Sequence, residues 1–218
     1  MTDHDIPRPT SGDVVDLIVA DHRTMEDLLR ELRDATADRE AARTALAELL
    51  IAHGESEEEH VYPSLRQKRA ISEHEVEHGE EEHAEGNEAL LALLECAGTD
   101  TQKFDDAVEE LATALNHHIG EEEQTILNPA RTEVSEDVRQ ELGGVWVEAR
   151  NRMLDEGCAS VDQVRTIVER AVSEGTLAPQ EARDKADAIK AEAKKEAEKL
   201  EEEAKKEAEK TEEEGKKG

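Results

Sequence analysis

"HGESEEEHVYP", residues 53–63, and "HIGEEEQTILNP", residues 118–129, set down the same order of side chains twice: histidine, glutamate four residues on, an apolar pair, then proline. A solvated helix face would account for the glutamates but not for the repeated order. Four residues of α-helix turn through about 400°, so His53 and Glu57 leave one face a single turn apart, as do His118 and Glu122. Each pair also extends an apolar stripe, Leu46, Leu49 and Leu50 before His53, and Leu111 and Leu115 before His118. The spacing therefore points these ligand-type side chains inward.

Working outward, helical periodicity predicts four segments. The first is "VVDLIVADHRTMEDLLRELRDAT" from residue 14, with Ile18, His22, Met25, Leu29 and Leu32 on one face. The second covers residues 39–60 and is expected to stop before Pro63, because a helix interior does not accept proline. The third covers 72–96 and the fourth 103–127, stopping before Pro129. Short connections make neighbours antiparallel, the pattern of an up-and-down four-helix bundle. Aromatic residues are 1% of the chain (Tyr62, Phe104 and Trp146), so the core must be aliphatic, which suits an all-α fold.

His22 lies on the first apolar face, and His83 lies on the third, in line with Val76, Leu90 and Leu94. Each helix thus offers one inward histidine, and two helices add a carboxylate. Burying such groups uncompensated costs several kcal/mol each on the order-of-magnitude scale for charged side chains. Metal ions remove that cost, because neutral imidazole and carboxylate become ligands. The candidate ligands are His22, His53, Glu57, His83, His118 and Glu122. Imidazole and carboxylate without thiolate suit iron, manganese or zinc, and this many ligands suits two ions. His4 lies in the lead-in, and His60, His74, His78 and His117 fall off the stripes. His117, one residue from His118, is turned about 100° away and is expected to face solvent or the bundle edge.

The formal net charge is −30, which excludes nucleic acid and anionic membranes as natural partners of most of the surface. Cys96 and Cys158 have no metal-type spacing and are expected as two buried thiols. The run "VVDLIVA" is too short and too interrupted for a signal peptide or a membrane span, so a cytoplasmic protein is expected. The expected organisation is a disordered lead-in over residues 1–11, the metal-binding bundle over 12–135, a helical extension over 136–178 and a charged tail over 179–218. In the extension, Val138, Leu142, Val145, Trp146, Ala149 and Met153 form one stripe, and no site is expected. The tail repeats every eleven residues, "KKEAEKLEEEA" at 194–204 and "KKEAEKTEEEG" at 205–215. It is expected as a solvated helix or disordered segment, with contact to a protein or lipid surface as the rival reading.

These residues resemble a known family. The order His, HxxxE, His, HxxxE, with "DHR" in the first helix, "EEH" in the third and "NHHIGEEE" in the fourth, is similar to the hemerythrin-like (HHE cation-binding) domain over about residues 12–132. The resemblance implies a four-helix bundle holding two non-haem iron ions as an oxygen-bridged di-iron centre, with Glu57 and Glu122 as bridging ligands and His22, His53, His83 and His118 as the rest. Oxygen-carrying hemerythrins have two histidines four apart on the third helix; here the only such pair, His74 and His78, precedes the apolar stripe. His78, Glu26, Tyr62 and Glu123 are left as alternatives for completing the set. The implied function is to react with or sense dioxygen, peroxide or nitric oxide, or to buffer iron. A peroxide-decomposing enzyme and a non-catalytic sensor or scaffold signalling through its tail are the alternatives.

Overall fold

The protein is described from a computed structural model covering residues 4–179 and 182. It divides into two units, Met1–Leu177 and Ala178–Gly218; the eleven-residue repeat and nearly all of the second unit lie outside the described residues. Among the described residues all regular structure is helical. The helices are α1 (Val14–Arg33), α2 (Arg39–Ser56), α3 (Tyr62–Gln67), α4 (Glu73–Leu94), α5 (Gln102–Glu122), α6 (Asn128–Glu133), α7 (Glu136–Glu156) and α8 (Val161–Glu174).

Side-chain caps set the starts. Asp13 accepts from the Val15 N–H at α1, Asp38 from Ala41 at α2 and Thr101 from Phe104 at α5, while Ser72 and Glu75 form a reciprocal capping box at α4. Helix α1 packs on α2 and α4 on α5; α1–α5 and α2–α4 contacts close the four-helix bundle.

The ends of the second and fourth helices differ from expectation. Neither stops before its proline. Residues Glu57–Val61 and Glu123–Leu127 form π-helical turns, after which Pro63 and Pro129 sit in the first turns of α3 and α6. The wider turn lets the Tyr62 N–H donate to Glu57 and the Asn128 N–H to Glu123, each five residues back. Proline then enters where a helix does not need its missing N–H, so the helical path continues. Both π-turns begin beside the ligand-type glutamates.

The extension is packed on the bundle. Helix α7 lies against α1 and α2, and α8 lies against α4. On α7 the inward face is Leu142, Gly143, Trp146, Val147, Ala149, Arg150 and Leu154; Val145, expected on that face, is exposed. Gly143 is where α7 crosses the chain entering α1: a Cβ there would lie 2.1 Å from the Gly12 carbonyl oxygen. Residues 4–11, within the segment 1–11 expected as a disordered lead-in, have no regular secondary structure, but several of them make contacts. The Pro7 carbonyl accepts from Arg150, the Pro9 carbonyl accepts from Asn151, and Ile6 packs on the core. Cys96 and Cys158 are free buried thiols.

The bundle's apolar interior is two large clusters, with a third, small one where Ala84 of α4 meets Val168 and Ala171 of α8. Met25, Leu29, Leu46, Leu49, Leu90 and Leu111 belong to the first, and Ile18, Val61, Tyr62, Val76, Ile126 and Trp146 to the second. Helices α1 and α4 pass from one cluster to the other, α2 and α5 do so through the π-turns that continue them, and each of the four carries its inward histidine near the crossing. The sequence thus builds a polar layer across the bundle, sealed on one side by aliphatic side chains and on the other by aliphatic side chains with Tyr62 and Trp146.

Candidate metal centre

Six ligand-type side chains meet in that layer: His22 from α1, His53 from α2, Glu57 at the first π-turn, His83 from α4, and His118 and Glu122 from α5. All six are at least nine-tenths buried. Nitrogen or oxygen atoms of His22, His53, His118 and Glu122 lie within 4.8 Å of one another, as do those of Glu57, His83 and His118. The two groups share His118, so they describe adjacent positions in one cavity.

Their contacts are the informative feature. His22 Nε2 is 3.1 Å from Glu122 Oε2, and His53 Nε2 is 3.1 Å from Glu57 Oε1. Neither contact has hydrogen-bond geometry. Nε2 of His22, His53 and His118, both Glu57 oxygens and Glu122 Oε2 are all buried without a hydrogen-bond partner. Native proteins rarely orphan one such atom, because each costs about 1–3 kcal/mol. Six orphans aimed at a common space fit a cation.

The opposite ring nitrogens are all partnered. Nδ1 of His53 is 3.3 Å from Asp21 Oδ2, that of His118 3.2 Å from Glu82 Oε2, that of His83 2.8 Å from Glu58 Oε1, and that of His22 3.1 Å from Glu123 Oε1. A carboxylate accepting from Nδ1–H fixes the tautomer in which Nε2 keeps its lone pair and turns the ring toward the cavity. Four histidines with four such carboxylates form a complete second layer. The layer also follows an internal repeat. Asp21 and Glu82 immediately precede His22 and His83 and serve the neighbouring helix of their own pair, whereas Glu58 and Glu123 immediately follow Glu57 and Glu122 and cross to the other pair.

Electrostatics keep the metal-free cavity balanced with protons. Burial disfavours the His53 imidazolium, but Glu57 and Asp21 overcome this and raise its pKa to about 9. His83 is likewise raised by Glu57 and Glu58 against its burial. His118 is lowered, by burial and by its neighbour His83. Glu57 and Glu122 are buried, which alone would raise them, and Glu57 pushes Glu122 up further; histidine neighbours nevertheless hold both below the ordinary carboxylate value. Bound cations would displace the protons of His53 and His83, because ligand nitrogens must be deprotonated.

The residues left open by the sequence now have places. Tyr62 is buried, with Oη 3.1 Å from Glu122 Oε1 and 3.5 Å from His83 Nε2. Gly79 makes room for it, since a Cβ there would meet the phenol ring at 3.0 Å. Glu123 reaches His22 Nδ1 and Arg23, not the cavity. Glu26 pairs with Arg23 near the surface. The side chains of His78 and His117 are exposed, 3.6 Å and 3.4 Å from Glu82 Oε1.

The sequence reading missed Asp21, Glu58 and Glu82, and two residues of α7. Trp146 sets its ring edge-on to His53 at 5.7 Å, and Arg150 binds Asp21. The doubled acid–base letters, Asp21-His22 and Glu82-His83, were a usable signal for the carboxylates. Beside His83 and His118 lies a cavity of about 20 Å³, lined also by Leu50, Ile51, Gly54 and Gly86, which is room for roughly one water-sized molecule.

The model of the hemerythrin HHE cation-binding domain matches residues 13–130. No curated protein and no solved structure matches the chain.

Proposed function

The chain belongs to the hemerythrin HHE cation-binding domain family, and from that premise we propose a non-haem di-iron protein that reacts with or senses dioxygen, peroxide or nitric oxide, or buffers iron. The observation that carries this reading is the set of six orphaned nitrogen and oxygen atoms converging between two apolar clusters. Nitrogen and oxygen donors without thiolate suit iron, and the two overlapping ligand groups suit a pair of ions.

His22, His53 and His118, with Glu122, would hold one ion, and His83 with Glu57 the other, His118 lying between them. Bound iron would supply an open coordination position and electrons for a small oxidant. The chain does the rest. The Nδ1 carboxylates hold all four rings in the ligating tautomer. The apolar clusters exclude bulk water, and the small cavity beside His83 and His118 has room for a molecule about the size of water. Tyr62 keeps a proton at Oη, since burial and then Glu122 and Glu57 hold its pKa well above 10.0, and it donates that proton to Glu122 Oε1.

Protein loaded with excess ferrous iron should carry about two ions per chain by metal analysis and show near-ultraviolet and visible absorption that zinc-loaded protein lacks. An intact fold with iron content near zero overturns the reading. Peroxide decomposition is the second reading, favoured by Tyr62 as a proton donor inside the centre. It predicts sustained peroxide turnover by the iron-loaded protein, slowed in Tyr62→Phe.

A further inference from the structure

The two halves of the polar layer differ in what holds their paired Nδ1 carboxylates, Asp21 and Glu82. Asp21 and Glu82 do the same work, each facing a histidine Nδ1 of the adjoining helix. Glu82 is otherwise faced by the exposed side chains of His78 and His117. Asp21 is instead gripped by Arg150 of α7, Nε to Oδ2 at 2.5 Å and Nη2 to Oδ1 at 2.7 Å. The pair is buried, Arg150 at 0% exposure and Asp21 at 4%. Nη1 donates to the Pro7 carbonyl and to Asn151 Oδ1, so every nitrogen of the guanidinium is engaged and its plane is fixed.

We propose that Arg150 is a positioning residue of the metal centre, acting through Asp21 on His53, so that α7, beyond the matched residues 13–130, is a working part of the site. Asp21 Oδ2 is the shared atom: it accepts from Arg150 Nε and faces His53 Nδ1. The two-pronged grip fixes where that oxygen stands, and the oxygen fixes the ring. Trp146, one helical turn before Arg150, sets its ring edge-on to the same imidazole, so α7 orients His53 from two sides. Glu82, whose other neighbours are the exposed His78 and His117, has no such grip from α7. The ion that His53 holds therefore depends on α7, while the ion at His83 does not.

The proposal rests on the metal-binding reading, and cobalt(II), which reports its ligands by visible absorption, tests both. The full chain is loaded with cobalt(II), and release into a chelator is followed by absorbance. Arg150→Met should weaken one ion about tenfold or more, in the range for lost outer-layer partners, and alter the spectrum, while the second ion leaves at the wild-type rate. Arg150→Lys should recover part of the loss, because an ammonium reaches Asp21 with one contact where the guanidinium makes two.

Arg150→Met alone strands a buried carboxylate and can prevent folding. The double variant Asp21→Asn/Arg150→Met carries no stranded charge, keeps an amide oxygen near Nδ1 and should show the same one-sided weakening. Wild-type release and spectrum in the folded variants overturn the proposal alone, as does equal weakening of both ions. Failure of wild-type protein to bind cobalt overturns the metal reading, and this proposal with it.

Discussion

Tyr62 Oη donates to Glu122 Oε1 across 3.1 Å, which links the start of α3 to the ligand-type glutamate of α5 through the middle of the bundle. In the second copy of the repeated sequence the same place is taken by Leu127, so the phenol is present on one side of the centre only. It is also the chain's single tyrosine, which makes it directly observable.

Tyr62 should resist ionisation in the folded, metal-free protein. Burial, then the Glu122 and Glu57 charges, hold its pKa well above 10.0. The folded state therefore binds this proton more tightly than the unfolded state, and its contribution to stability is lost as pH rises above about 10, where the unfolded phenol ionises. In an alkaline titration, phenolate absorbance should appear only together with loss of helical circular dichroism. Phenolate formation at about pH 10 with the helices intact would show the phenol to be solvated.

His53 gives the metal-free protein an opposite dependence from that of a typical carboxylate. Its pKa is raised from 6.5 to about 9, so its contribution is fully present below pH 6.5 and disappears as pH rises through about 9. Melting temperature of the metal-free chain should fall across that window. Metal-loaded protein should lack this fall, because a ligated Nε2 carries no proton to lose. A metal-free melting temperature that climbs from pH 6.5 to 9 would contradict the pairing of His53 with Glu57 and Asp21.

The neighbours His117 and His118 should behave oppositely on truncation. His118 is buried with Nε2 unpartnered, whereas the His117 side chain is 62% exposed. His118→Ala is expected to cut iron content by at least one ion per chain, and His117→Ala to leave it unchanged, by metal analysis after identical loading. Metal loss in His117→Ala with retention in His118→Ala would mean that the helical phase of α5 is misassigned.

Much of this architecture is legible in the sequence because side-chain period and chemistry agree. The same 3.6-residue rhythm that placed Leu46, Leu49 and Leu50 inward placed His53 inward, so fold and candidate ligands came from one signal. Proline misled at Pro63 and Pro129. A π-turn takes up the missing N–H without ending the helix, and no local letter announces it. Arg150 was invisible for another reason. A lone arginine on an apolar stripe reads as a solvated edge, and only the packing of α7 on α1 brings it to Asp21, at a sequence separation that no periodicity reports. Val145 was assigned inward because hydropathy alone cannot tell which of two adjacent apolar residues a helix turns to its partner.

Adjacent glycines on α7 test how closely that helix sits on the chain entering α1. At Gly143 a Cβ would stand 2.1 Å from the Gly12 carbonyl oxygen and 3.0 Å from the Val14 nitrogen; both are backbone atoms, with no flexible end to swing aside. At Gly144 a Cβ would meet nothing within 4 Å. Alanine is the better helix former by about 0.5–1 kcal/mol, so Gly144→Ala should stabilise by roughly that amount. In Gly143→Ala the same gain is outweighed by overpacking, typically about 1–3 kcal/mol and more where backbone must move. The expected sign is a net loss for Gly143→Ala and a gain for Gly144→Ala, read as opposite shifts of the denaturant midpoint at unchanged slope. Because Gly143 lies two turns before Arg150 on the same helix, Gly143→Ala should also loosen one metal ion while Gly144→Ala leaves both in place. Equal midpoints for the two variants would show that α7 does not press on residues 12–14.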